Sequence, residues 1–122
     1  MIAPGAVVTY KWAQYSTALL VSFFGGEQFA PAIFNIIDGH VNPSGKLPIT
    51  FPNYDNEANF GEHQYPGINK TATYTEGLFI GYRYYDQNNI VPAFPFGYGL
   101  SYTQFEYVKD SMHIDRNRRV TI

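Results

Sequence analysis

The chain has 122 residues, of which 45% are apolar, 18% aromatic and only 15% charged, with a net charge of −2 and no cysteine. This length suits one domain, but the charged share is well below the roughly one quarter usual for soluble domains, so part of the apolar side chains is expected to face other protein. Disulfides and thiolate chemistry are excluded, and no apolar run approaches the ~20 residues of a membrane span.

The first predicted element is a buried strand over residues 17–24, because this short apolar run is followed by two glycines. A helix follows, in which Phe29, Ile33 and Ile37 recur at helical spacing, Pro31 suits the first turn and Gly39 suits the left-handed position after the end. Strand, glycine turn and helix form half of a βαβ unit. The predicted fold class is therefore α/β, with an open sheet edge around residues 19–23 that needs a covering partner.

The middle of the chain alternates between turns and extended segments. Residues 42–45 predict a turn, and residues 47–51, bracketed by prolines, predict a short edge segment. Residues 53–71 are polar and aperiodic, and a loop this long is usually functional or lies over a neighbour. Residues 74–84 predict a strand, with aromatic and aliphatic side chains on one side and two glycines on the other. Residues 118–122 predict a last strand.

Two glutamates are candidates for a structural or a ligand-contacting role. Glu27 lies at the predicted strand-to-helix turn, where the helix dipole favours a carboxylate by about 0.3–1 kcal/mol; the alternative is contact with a ligand or a neighbouring domain. Glu76 lies among apolar residues, where an unpaired carboxylate is costly, and either Arg83 or a ligand would pair with it. The acids of the polar loop are expected to be solvated: Asp55, Glu57 and Glu62.

Other site chemistry finds little support in the sequence. His40, His63 and His113 lack the spacing of metal ligands, and neither a phosphate-binding loop nor an organic cofactor site is recognisable. Basic residues gather only at Arg116, Arg118 and Arg119, which indicates a solvated strand face and not a nucleic-acid site.

One sequon is present for N-glycosylation. Asn69 is followed by Lys70 and Thr71, whereas Pro43 disqualifies Asn42. The sequon lies in the polar loop, where a glycan could reach water. The sequence therefore predicts Asn69 as a modification site if the protein is secreted by a eukaryotic cell.

Four stretches, taken in order, are specific enough to indicate a family: "GGEQFAPAIFNIIDGHVNPSGKLPITFP", "YPG", "YTEGLFIGYRYYD" and "VPAFPFGYGLSYTQFEY". Over about residues 12–107 the chain resembles the C-terminal half of glycoside hydrolase family 3, whose best-known members are β-glucosidases. Departures are confined to Phe24, Phe29 and Asp38, and they concern the start of the helix.

The resemblance implies a domain order. Residues 1–52 would be the C-terminal part of an α/β sandwich domain, residues 53–93 a connecting loop and strand, and residues 94–122 the junction and first strand of a fibronectin-III-like β-sandwich. The aromatic residues of 94–107 would then be core between domains and not a sugar platform.

The resemblance also implies a function and what this chain would not contain. The parent would hydrolyse terminal β-linked glucosyl residues with retention, without metal or organic cofactor. Its nucleophile would lie on a barrel and its acid/base ahead of residue 25, so no catalytic residue is assigned here. Expected partners are the rest of the enzyme or other copies of the chain, with carbohydrate bound through the parent, and an extracellular location fits the family. The alternative is a non-catalytic structural or assembly protein derived from this fold.

Overall fold

A computed structural model of the chain describes residues 5–108, 111, 113–114 and 120–121. Its elements are a 3-10 helix at Ala13–Tyr15, helix α1 at Phe29–Ile37 and helix α2 at Tyr82–Asn88, followed by strands β1 at His113–Ile114 and β2 at Val120–Thr121. The two strands pair antiparallel. The three arginines of the tail lie outside the described residues. Among the described residues, no helix is long and apolar enough to cross a membrane.

The helix predicted over residues 29–37 is confirmed. Pro31 occupies the first turn of α1, where its missing N–H would have no carbonyl partner within the helix. Gly39 has φ +80°, and its amide donates to the Ile36 carbonyl at 3.1 Å. A glycine takes this left-handed conformation without the strain that a side chain would add, and so it ends the helix.

The strand predicted over residues 17–24 is not formed in the described part of the chain. This segment has no regular secondary structure apart from a single bridge at Ser22, and residues 19–23 are half-buried. A strand needs a neighbour that takes up its backbone N–H and C=O groups along its length. The prediction of a buried strand is therefore wrong for the described residues, where no ladder forms along this segment. Its covering by other protein stays a prediction.

The strand predicted over residues 74–84 is wrong. The chain turns after Glu76, whose carbonyl accepts from the Phe79 amide at 3.1 Å, and α2 begins at Tyr82. Gly77 and Gly81 have φ +59° and +54°, values that interrupt an extended backbone. The two glycines are therefore turn positions and not the small side chains of a strand face.

The centre of the fold is a pairing of two distant segments, residues 47–51 and 94–98. The Phe51 amide donates to the Phe94 carbonyl at 2.8 Å, the Leu47 amide to the Tyr98 carbonyl at 2.8 Å, and the Gly97 amide to the Leu47 carbonyl at 2.7 Å. Phe51 is fully buried, and its ring meets that of Phe94 edge to face with centroids 6.2 Å apart. The predicted edge segment over residues 47–51 is therefore half of the chain's main contact.

Asn42 extends this pairing toward helix α1. Its Nδ2 donates to Ser101 Oγ at 2.8 Å and to Thr103 Oγ1 at 3.1 Å, while its Oδ1 accepts from the Tyr102 amide at 2.8 Å. The Tyr102 hydroxyl in turn donates to the carbonyl of Ile36 in α1 at 2.8 Å. One amide side chain therefore joins the turn after α1 to the segment 101–103. The proposed boundaries at residues 52 and 93 stay predictions.

Candidate functional site

A buried carboxylate lies in the chain that connects the paired segments 47–51 and 94–98. Glu57 is 8% exposed, and its Oε2 accepts from the Tyr85 hydroxyl at 2.6 Å and from the Asn53 amide at 2.9 Å. Its Oε1 accepts from Asn53 Nδ2 at 2.8 Å, and the same Nδ2 also donates to the Val91 carbonyl at 2.8 Å. These four residues, Asn53, Glu57, Tyr85 and Val91, are called the Glu57 cluster.

The Glu57 cluster shifts the pKa values of both ionisable members. Burial acts to raise the pKa of Glu57, but the hydrogen bonds from Tyr85 and Asn53 outweigh it and hold that pKa below its ordinary value of 4.5. Burial raises the pKa of Tyr85, and the hydrogen bond to Glu57 and its negative charge raise it further. Glu57 is therefore ionised and Tyr85 protonated at neutral pH, an arrangement suited to holding structure and not to donating a proton.

The prediction that Glu57 is solvated is wrong. The turns of residues 54–58 place Glu57 beside Asn53. Helix α2 packs against this loop and places Tyr85 beside Glu57. Polar composition predicted a loop correctly, but composition carries no information about which acid the distant helix covers. The spacing of four residues between Asn53 and Glu57 is the local signal that could have indicated their contact.

A cleft of about 580 Å³ opens beside the Glu57 cluster. Its polar lining comes from Thr50, Asn56, Glu57 and Tyr85, and its aromatic walls include Phe60 and Tyr65. Thr50 is 8% exposed, and its Oγ1 has no hydrogen-bond partner in the described structure. The volume lies within the range of roughly 300–1,000 Å³ typical of small-molecule sites.

A second cleft of about 340 Å³ adjoins the first, because Phe60 and Tyr65 line both. Glu76 lies in this second cleft, and its Oε2 accepts from Gln64 Nε2 at 3.4 Å. Arg83, the partner that the sequence suggested for Glu76, instead lies with its guanidinium 5.8 Å from the ring centroid of Tyr82. No Glu76–Arg83 ion pair is formed within the part of the chain that the structure describes. Glu76 is therefore available to a ligand in the second cleft.

Glu27 is exposed and lies one residue before the N-cap of α1. The N-cap is Gln28, and no side chain caps the amides of this helix. The interaction left to the Glu27 carboxylate with α1 is the one with the helix dipole. Glu27 lines neither of the two clefts, so it does not share a site with the Glu57 cluster.

Asn69 lies at the tip of a hairpin. The Ile68 amide donates to the Thr71 carbonyl at 2.9 Å and the Thr71 amide returns the bond at 3.0 Å, so Asn69 and Lys70, with φ +52° and +63°, form the two-residue turn. Asn69 is exposed. Its glycosylation stays a prediction, and an unmodified Asn69 peptide in the protein from a eukaryotic secretome would contradict it.

Comparison with known proteins gives a consistent set of relatives. The model of the glycosyl hydrolase family 3 C-terminal domain matches residues 1–102. The chain is 45% identical over 103 residues to thermostable beta-glucosidase B of Acetivibrio thermocellus. This match covers 84% of this chain and 14% of that protein. It is 44% identical over 107 residues to the probable beta-glucosidase I of Aspergillus oryzae, covering 86% of this chain and 12% of that protein.

Solved structures agree with the sequence relatives. Beta-glucosidase 3B from Thermotoga neapolitana, in complex with glucose, matches 93% of this chain and 16% of its own with a TM-score of 0.76 and 33% identity. The beta-glucosidase from Kluyveromyces marxianus, also in complex with glucose, matches 94% and 14% with a TM-score of 0.78 and 33% identity. The chain thus spans about one seventh of the length of the proteins it resembles.

We predict that Tyr85→Phe lowers the free energy of unfolding by about 1.5–3 kcal/mol, because it removes a hydrogen bond to a charged acceptor in a buried site. Tyr84→Phe is the matched control, since the Tyr84 hydroxyl makes only a 3.3 Å contact to the backbone carbonyl of Glu57. Urea unfolding of the three proteins at neutral pH measures the difference. Equal loss in both variants would contradict the role given to Tyr85.

The Tyr85→Phe and Tyr84→Phe variants are also expected to differ in the pH at which acid unfolds them. A depressed pKa of Glu57 gives stability that is fully present above the ordinary value of 4.5 and is lost as the pH falls through the lower pKa of the folded state. Tyr85→Phe removes one cause of the depression. Its acid unfolding is therefore expected at higher pH than that of the wild type and of Tyr84→Phe.

Proposed function

The chain belongs to glycosyl hydrolase family 3, as part of its C-terminal domain, and from this premise we propose that it serves an enzyme that hydrolyses terminal β-linked glucosyl residues. The observation that carries the proposal is the 45% identity, over 103 residues, to a protein named as a beta-glucosidase. Likeness to two structures that hold glucose supports the same substrate class. Retention of configuration is part of the proposal.

The proposed role of these residues is to support the reaction and not to perform it. A glycosidase needs two carboxyl groups that face each other across the scissile bond, one of them able to donate a proton. The Glu57 carboxylate is occupied by three hydrogen bonds, and its pKa is lowered. It is thus unsuited to act as a general acid, and no residue of this chain is assigned a catalytic role.

The finer architecture that we propose follows the family. Residues 1–52, with α1, would complete an α/β sandwich domain, residues 53–93 would connect it to the next domain, and residues 94–122 would enter a fibronectin-III-like β-sandwich. The confirmed helix α1 and the antiparallel pairing of β1 with β2 support this assignment.

We also propose that other protein covers part of the chain's surface. Phe34 and Ile37 of α1 are 62% and 70% exposed, and Phe24 is 81% exposed. Each large apolar side chain left in water forgoes roughly 1.5–3 kcal/mol of burial. The proposed cover is the rest of a longer polypeptide, because the chain spans about one seventh of its relatives. If no such polypeptide exists, the same surface favours the alternative function, an assembly of copies of this chain.

The proposed activity is tested by segment exchange. In thermostable beta-glucosidase B of Acetivibrio thermocellus, the 103-residue matching segment is replaced by the equivalent residues of this chain. We expect the exchanged enzyme to hydrolyse aryl β-glucosides, whereas the 122-residue chain alone and the enzyme lacking the segment do not. A folded exchanged enzyme without activity would contradict the proposed function, as would turnover by the chain alone.

The proposed cover is tested by sedimentation of the purified chain at micromolar concentration. Exposed apolar side chains are expected to drive self-association when the rest of the polypeptide is absent, so the folded chain should sediment as an oligomer. A double variant, Phe34→Ser with Ile37→Ser, should shift the distribution toward monomer. A compact wild-type monomer that unfolds cooperatively would refute the proposal.

A further inference from the structure

The two adjoining clefts form a single groove that is divided by two aromatic side chains, Phe60 and Tyr65, called the aromatic divider. Phe60 and Tyr65 line both clefts, and each cleft contributes one carboxylate, Glu57 in the first and Glu76 in the second. Together they give a groove with two lobes of about 580 and 340 Å³. Each lobe has one carboxylate and the same two aromatic walls, so the groove suits a ligand that has two similar units.

The backbone that carries the aromatic divider is held by local hydrogen bonds. Asn56 Oδ1 accepts from the Phe60 amide at 2.9 Å, and Asn56 Nδ2 donates to the Phe60 carbonyl at 3.1 Å. The Tyr65 amide donates to the Gly61 carbonyl at 3.0 Å, and Gln64 Oε1 accepts from the Gly61 amide at 3.0 Å. The Tyr65 residue is nevertheless 78% exposed. These bonds fix the backbone that carries the two exposed rings, so little backbone freedom is left to lose when a partner binds them.

The polar lining restricts the chemistry of that partner. Of the described residues that line the groove, none is Lys, Arg or His, so an anionic ligand would find no countercharge. Glu76 offers carboxylate oxygens that can accept further hydrogen bonds, since the bond from Gln64 Nε2 is 3.4 Å long. A ligand with several hydroxyl donors and apolar C–H faces would satisfy both this carboxylate and the aromatic rings.

We propose that this groove binds a neutral oligosaccharide, with one sugar ring in each lobe and the aromatic divider between them. That the ligand is a neutral polyhydroxylated molecule follows from the lining; that its units are β-linked glucose rests on the proposed function. Glu57 is held in place by Asn53 and Tyr85, whereas Glu76 has one 3.4 Å hydrogen bond, from Gln64, and stays open to the ligand. Tyr65 is the principal contact, since its ring is the most exposed wall shared by the two lobes.

The test is a calorimetric titration of the 122-residue chain with cellotetraose, a neutral β-linked glucose tetramer. We expect saturable binding, about tenfold weaker in Tyr65→Ala, because one aromatic stacking contact is worth roughly a tenfold change in affinity. Tyr15→Ala is the matched control, since Tyr15 is 82% exposed and lies outside the groove. Glu76→Gln is a second variant that keeps the shape of the side chain while removing its charge, and it should also weaken binding.

Choline chloride and maltotetraose serve as rival probes. Binding of choline without cellotetraose would overturn the proposal, because the aromatic rings and carboxylates would then form a cation site. Equal binding of the α-linked tetramer would keep the oligosaccharide site but remove the β-glucose assignment. No saturable binding, or equal affinity in Tyr65→Ala and wild type, would overturn the site itself. An exchanged enzyme that hydrolyses aryl β-glucosides while the chain fails to bind cellotetraose would overturn the groove and leave the proposed function intact.

Discussion

The pairing of residues 47–51 with residues 94–98 is the contact on which the rest of this structure depends. It buries Phe51 completely, joins two segments that are more than forty residues apart, and continues through Asn42 to the end of α1. Closing the intervening chain costs conformational entropy, which several backbone hydrogen bonds and one buried aromatic pair must offset. With these ends fixed, residues 53–93 form a closed segment that can be packed against itself.

The Glu57 cluster is the second constraint, and it follows from the first. Asn53 comes two residues after Phe51 and Val91 three residues before Phe94, so the pairing brings both ends of the segment close together. Between them, a buried carboxylate without partners would be costly, and the three hydrogen bonds from Asn53 and Tyr85 remove that cost. This ties α2 to the loop, and the groove forms where the loop and α2 meet.

The sequence predicted some of this structure and missed the rest for identifiable reasons. Helix α1 was predictable because apolar spacing, Pro31 and Gly39 all indicate the same element, and the family was predictable from long specific stretches. The strand over residues 74–84 was wrong because alternation around Gly77 and Gly81 looks extended, whereas both glycines have positive φ values that the alternation does not reveal. The burial of Glu57 depends on Tyr85, 28 residues away, and no local pattern shows such a contact. The groove was missed for the same reason, since its walls come from separate segments.

Native-state hydrogen exchange of the chain tests most directly whether the pairing of residues 47–51 with residues 94–98 organises the fold. The amides of Leu47, Phe51 and Gly97 bond across this pairing, so they should exchange slowest and together, with protection equal to the free energy of global unfolding. The amides of Ile68 and Thr71, which bond only within their own hairpin turn, should exchange faster through local opening. Exchange of the three paired amides as fast as those of the hairpin, while the chain stays folded, would contradict the account.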